Sequence, residues 1–118
     1  MSTLPPQAAA AAPSGAGAAA LQLVRAADGN VRVHGPLTFA TARRALALGR
    51  ELLGASAHAV EIDCSGVTAG DSAGLAVLLE WLGLAKQAGR QLHYTHLPQD
   101  LTALAGISEL QELLARGV

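Results

Sequence analysis

The stretch Val60-Glu61-Ile62-Asp63-Cys64-Ser65-Gly66-Val67-Thr68-Ala69-Gly70-Asp71-Ser72-Ala73-Gly74-Leu75 reads as a strand, a small-residue loop and the start of a long apolar helix. Val60, Ile62 and Cys64 fall on one face of the strand, Glu61 and Asp63 on the other. That alternation belongs to a sheet covered on one side and wet on the opposite side. Ser72 is the expected cap of the helix, because its hydroxyl can accept a hydrogen bond from an amide one turn on. The first helical turn also carries unpaired amides and a partial positive charge, which suit an oxyanion or phosphate group. A serine displayed there is a candidate contact or switch point.

Upstream, Leu21, Leu23 and Arg25 alternate with Gln22 and Val24, Asp28-Gly29-Asn30 supplies a turn, and Val31 and Val33 alternate with Arg32 and His34. The pattern predicts a hairpin. From Thr38 the period becomes helical: Ala42, Ala45, Leu46, Gly49, Leu52 and Leu53 form one stripe, and Gly54 ends it. Downstream, the helix from Ser72 to Ala88 stops at Gly89. A fourth strand follows, with Leu92 and Tyr94 pointing inward. Pro98 opens a third helix that stops at Gly106. Ser108 and Gln111 have the spacing of a capping box for a last short helix with Leu110, Leu113 and Leu114. The expected order is β-β-α-β-α-β-α-α: a single α/β domain, with helices packed on one face of a mixed four-stranded sheet.

At 118 residues the chain suffices for one ordinary domain. Half of it is hydrophobic, but it holds one Trp, one Tyr and one Phe, so the core is aliphatic. A net charge of −1 with scattered Lys and Arg gives no footprint for nucleic acid or an anionic membrane surface. No long apolar run predicts direct membrane insertion. The single cysteine excludes an internal disulfide and fits a reducing compartment. Residues 1–19 are Ala/Pro-rich, with no charge before Arg25 and no uninterrupted apolar core. They are read as a disordered tail rather than a secretory signal, and the domain as residues 20–118 in the cytoplasm.

The helix from Ser72 has apolar residues on more than one side. At 100° per residue Leu75, Leu78, Leu79 and Leu82 make the core face, while Val77, Trp81 and Leu84 fall on the opposite half with Ala73 beside them. Two readings remain open. Trp81 anchors a partner protein on an outer docking face, or it fills a groove against a neighbouring helix. Catalysis finds no support. Asp63, Asp71 and Ser72 bracket the loop, but nothing ties His34, His58, His93 or His96 to Ser72 as a base. His93 and His96 are poorly spaced as metal ligands, Cys64 reads as a buried thiol, and no glycine-rich nucleotide loop occurs. Neither an enzyme, a metal nor a cofactor is expected.

These elements resemble the STAS domain family, named for sulfate transporters and anti-sigma factor antagonists. The resemblance rests on Gly35-Pro36-Leu37-Thr38, Asp63-x-Ser65-Gly66-Val67-Thr68 and Asp71-Ser72-Ala73-Gly74-Leu75, and covers about residues 21–115. Two branches are implied. In the STAS subunit of Mla-type phospholipid transporters, the domain binds a cytoplasmic ABC-type ATPase that serves lipid exchange between two membranes. In anti-sigma factor antagonists, the serine matching Ser72 is phosphorylated by a partner kinase. Leu75-Ala76-Val77-Leu78-Leu79-Glu80-Trp81, the short segment after Leu114 and the Ala69-Gly70 pair favour the transporter branch. The resemblance then implies docking by Thr68, Asp71, Ser72, Ala73, Val77, Trp81 and Leu84, with Asp63 and Ser65 supporting the loop. It also implies a cytoplasmic location, peripheral to the inner membrane through the partner complex.

Overall fold

The computed structural model describes residues 20–54 and 58–118; the expected disordered tail, residues 1–19, lies outside them. Strands β1 (Gln22–Arg25), β2 (Val31–Leu37), β3 (Val60–Gly70) and β4 (Leu92–Thr95) form one sheet in the order β1-β2-β3-β4. The β1–β2 hairpin is antiparallel, and β2, β3 and β4 run parallel. Helices α1 (Ala42–Leu53), α2 (Ser72–Gln87), α3 (Gln99–Ile107) and α4 (Gln111–Arg116) complete the expected α/β order. The hairpin turn is closed by the amide of Asn30 on Asp28 (3.0 Å) and by Gly29 at φ +88°. Only glycine adopts that conformation without strain.

Alternation along the strands is realised as read. Val31, Val33, Val60, Ile62, Cys64, Leu92 and Tyr94 are buried beneath the helices, while Arg32, Glu61, Ser65 and His93 face solvent. Burial pushes the Cys64 thiol up to about 12, assisted by the neighbouring Asp63 charge. The thiolate is therefore scarce at neutral pH. Tyr94 reaches up from β4 and donates its hydroxyl to the Leu78 carbonyl of α2 at 2.6 Å. Burial holds the pKa of this hydroxyl well above the ordinary tyrosine value.

α2 is the central helix. It packs against α1 on one flank, α3 on the other and β2 and β3 below. That environment decides between the two readings of its second apolar face. Val77 is 2% exposed, Trp81 is fully buried and Leu84 is half-buried, so the tryptophan fills a groove against a neighbouring helix rather than standing on an outer face. The Trp81 indole enters a notch at Gly49 of α1, where a Cβ would overlap the ring, and its Nε1–H donates to the Ala45 carbonyl at 3.1 Å. A buried indole needs such a partner.

Several boundaries differ from expectation. Thr38 does not begin α1: Thr38–Thr41 is a turn in which the Thr41 hydroxyl donates to the Pro36 carbonyl (2.8 Å) and accepts from the Thr38 amide (3.0 Å). Thr68–Gly70 continues β3 rather than forming a loop, with Gly70 in register with Leu37. Ser108 and Gln111 form no capping box. Ser108 closes α3 through its amide on Leu104, Glu109 takes φ +59°, and the Leu110 amide returns to the Ala105 carbonyl at 2.7 Å. The backbone itself makes that turn, so a side-chain cap has no role there. Pro98 immediately precedes the first residue of α3, as its missing N–H allows.

One charge is buried without a sequence signal. Arg90, 4% exposed, donates Nε–H to the His58 carbonyl (2.5 Å) and an Nη1 hydrogen to the Leu52 carbonyl (2.8 Å). It thereby joins the C-terminal end of α1 to the segment entering β3. Desolvation pulls its pKa down.

Candidate functional site

Parallel α/β sheets place loops, and with them most ligand sites, at the C-terminal ends of their strands. Here β2 and β3 end side by side at Leu37 and Gly70. The turn after β2 carries Phe39, and β3 passes directly into α2 through Asp71. Asp71, not Ser72, is the N-cap: its Oδ1 accepts from the Gly74 amide at 3.0 Å. Both residue types cap well, so the adjacent pair is ambiguous in sequence. The structure decides because Asp71 is extended and its second oxygen, Oδ2, accepts from the Phe39 amide at 3.0 Å. One carboxylate thus fastens the two loops together. These bonds hold the Asp71 pKa below the usual aspartate value, the Gly74 amide contributing most and Phe39 next.

The stabilisation follows the ionised form. A depressed folded pKa makes its contribution complete above the ordinary aspartate value of about 3.9, and loses it as pH falls below that through the folded value. Asp71→Ala is expected to cost about 0.5–2 kcal/mol at pH 7. Urea titrations of both proteins should show this difference shrinking below about pH 4. A difference unchanged at low pH would remove the carboxylate charge from the cap.

Freed from capping, Ser72 is the first helical residue and is exposed. Beside it, α1 and α2 leave an apolar hollow of about 340 Å³, lined by Phe39, Ala42, Leu46, Ala73, Ala76 and Val77, with Glu80 on its α2 rim. Phe39 is 83% exposed at one end. Of the residues read at the loop, Ala73 lines this groove; exposed Ser72 immediately precedes it in the chain, and Asp71 is bonded to the Phe39 amide. Val77 contributes only to its floor, and Trp81 lies behind it in the core. Thr68 is exposed further back along β3.

Asp63 and Ser65 belong elsewhere. Asp63 sits on the solvent face of the sheet, accepting from the Ser65 amide (2.9 Å) and pairing with Arg32 (3.4 Å) and His96 (3.1 Å). The Ser65 amide is the chief reason its pKa is lowered. It braces β2, β3 and the turn after β4, where His96 takes φ +57°, rather than the Ser72 loop. Among the described residues, no group of three or more His, Cys, Asp or Glu side chains could hold a metal ion. No helix of the described residues is long and apolar enough to cross a membrane.

Sequence reasoning missed Phe39. A lone aromatic just beyond a Gly-Pro-Leu strand end, in a loop at the C-terminal edge of the sheet, was the signal available.

A family model described as "Mlab, STAS domain" matches residues 18–115, nearly the whole described chain. The chain belongs to the STAS domain family. Solved structures share this STAS fold. A sulfate transporter family protein from Wolinella succinogenes superposes with a TM-score of 0.58 at 17% identity, covering 74% of this chain and 70% of that one. The anti-sigma factor antagonist SpoIIAA in its unphosphorylated form superposes with a TM-score of 0.57 at 14% identity, covering 75% and 83%. Comparison with curated proteins returns no match.

Proposed function

We propose that this STAS domain is a non-catalytic docking subunit for the ATPase of an ABC-type intermembrane phospholipid transport system. The observation that carries docking is the exposed Phe39 lining an apolar groove between α1 and α2, with exposed Ser72 next in the chain to its Ala73. An exposed phenylalanine beside a recess of small and aliphatic side chains has the make-up of an interface centre. The transporter assignment is supported by the matching family description. In this reading the domain is cytoplasmic and held at the inner membrane through its partner. Ser72 sits near the centre of contact, with Phe39, Ala73 and the Val77 floor supplying apolar area. Asp71 keeps the two loops in one geometry, so the partner meets a surface already set.

Affinity capture of the tagged protein from its native cells, with identification of co-eluting proteins, tests the assignment. Recovery of an ABC ATPase with its permease is the expected result. Ser72→Asp should then weaken the reconstituted pair by about 2 kcal/mol, roughly thirtyfold in Kd, because it buries an unpaired charge, whereas Ser72→Ala should change little. Equal affinity of the Asp variant and the parent would take Ser72 out of the contact.

A second reading is favoured by the resemblance to SpoIIAA and by the exposure of Ser72. Here the domain is an anti-sigma factor antagonist, and a partner serine kinase phosphorylates Ser72. Phosphate adds nearly two negative charges at the first turn of α2, enough to expel a desolvated partner. Capture of a small serine kinase together with a sigma factor would select this reading.

A further inference from the structure

The walls of the groove differ in charge. On α1, with Ala42 and Leu46 facing the hollow, a wheel at 100° per residue sets Arg43 and Arg50 immediately outside them, on the solvent side. Both arginines are exposed, and among the described residues neither takes part in an ion pair. The third arginine of the helix is spent inward, Arg44 donating Nε–H to the Leu21 carbonyl at 2.8 Å. Arg43 and Arg50 are seven residues apart, two turns, or about 10.5 Å along the axis. The opposite rim carries Glu80 alone, and the outer surface of α2 between Ser72 and Gly83 is otherwise small and uncharged: Ser72, Ala76 and Gly83.

We propose that the groove receives one amphipathic helix of a partner protein, lying along α1 with carboxylates two turns apart against Arg43 and Arg50 and an uncharged or basic flank toward Glu80. The inference rests on the docking reading above and adds to it the chemistry and polarity of the partner segment. A furrow between two helices is filled most densely by a third helix, whose ridge enters it. Alanines at 73 and 76 let that backbone come close, and Phe39 offers an aromatic edge for one of its apolar anchors. The arginine pair matches a helical period of seven. An extended peptide would pass the two sites with only three residues at about 3.3 Å each, placing successive carboxylates on opposite faces. Arginine is also the cation that holds carboxylates in fixed geometry.

Two synthetic helical peptides with the same leucine face test the proposal by fluorescence anisotropy against the whole chain. One carries glutamates seven residues apart on the flank toward α1, the other lysines at those positions, and both carry glutamine on the flank toward Glu80. The acidic peptide should bind about three- to tenfold more tightly at low salt, a preference that fades as salt is raised. The double variant Arg43→Glu/Arg50→Glu, on two exposed positions, should reverse the ranking, and Phe39→Ala should weaken both peptides. Equal binding of the two peptides, no binding of either, or a ranking unmoved by the double variant would each overturn the proposal. A dimer of the parent chain in sedimentation that Phe39→Asp returns to monomer would give the groove to a second copy and overturn it as well. The docking reading fails separately, through the capture experiment. An ATPase recovered equally by the parent and the double variant sinks the acidic helix and leaves docking standing. Charge-selective peptide binding without a captured ATPase does the reverse.

Discussion

Trp81→Ala is expected to destabilise the domain by about 3–5 kcal/mol. The loss has three parts: the transfer free energy of a fully buried indole, the cavity left among α1, α2 and the sheet, and the hydrogen bond from Nε1–H to the Ala45 carbonyl. Urea titration measures the free energy directly, and for a domain of this size the melting temperature should fall by more than about 10 °C. A loss below about 1 kcal/mol would mean that the indole is solvated and return it to the surface. Gly49→Ala offers an independent check from the other side of the contact. A helix usually gains from Gly→Ala, but here the added Cβ overlaps the indole ring, so the sign should be destabilising.

Gly74→Ala should likewise destabilise, by about 1–3 kcal/mol, against an ordinary helical gain of about 1 kcal/mol. The first turn of α2 passes so close to the end of β2 that a Cβ at this position would overlap the Leu37 carbonyl oxygen. Relief requires the turn to back away from β2. That motion carries off Asp71, whose two oxygens hold the amides at 74 and 39. The expected signature is therefore a loss of stability together with faster hydrogen exchange at the Phe39 amide, far away in sequence. A neutral or stabilising Gly74→Ala would show that the two elements separate freely.

The architecture was legible because it rests on local periodicity. The alternation of Val60, Ile62 and Cys64 against Glu61 and Asp63 predicted β3 and its wet face, and both occur. The stripe from Ala42 to Leu53 predicted α1, whose Ala45, Gly49 and Leu53 are buried. Long-range pairing was not legible. A helical wheel assigns one inside and one outside, whereas α2 is enclosed on three sides, and its Trp81 occupies a notch that exists only because α1 presents Gly49 there. The cap at Asp71 rather than Ser72 is decided in part by the Phe39 amide, thirty-two residues earlier in the chain. Asp63 pairs with His96 across the β3–β4 step, a contact set by strand register that no spacing announces. Of the residues read from the sequence, Ala73 lines the groove, with Ser72 exposed next to it in the chain and Asp71 capping the helix. Along the apolar helix face Trp81 sinks into the core, Val77 is nearly covered as the floor of the groove and Leu84 is half-buried, because hydrophobicity alone does not distinguish these environments.

The hydrogen bond from Trp81 to Ala45 has a kinetic consequence. It bolts together the two helices that form the walls of the groove, from behind, through a ring with no space to swing. The recess therefore has its width before any visitor arrives, and association involves no opening step. Ligands of equal charge should accordingly meet this face at similar speeds and differ in how long they stay.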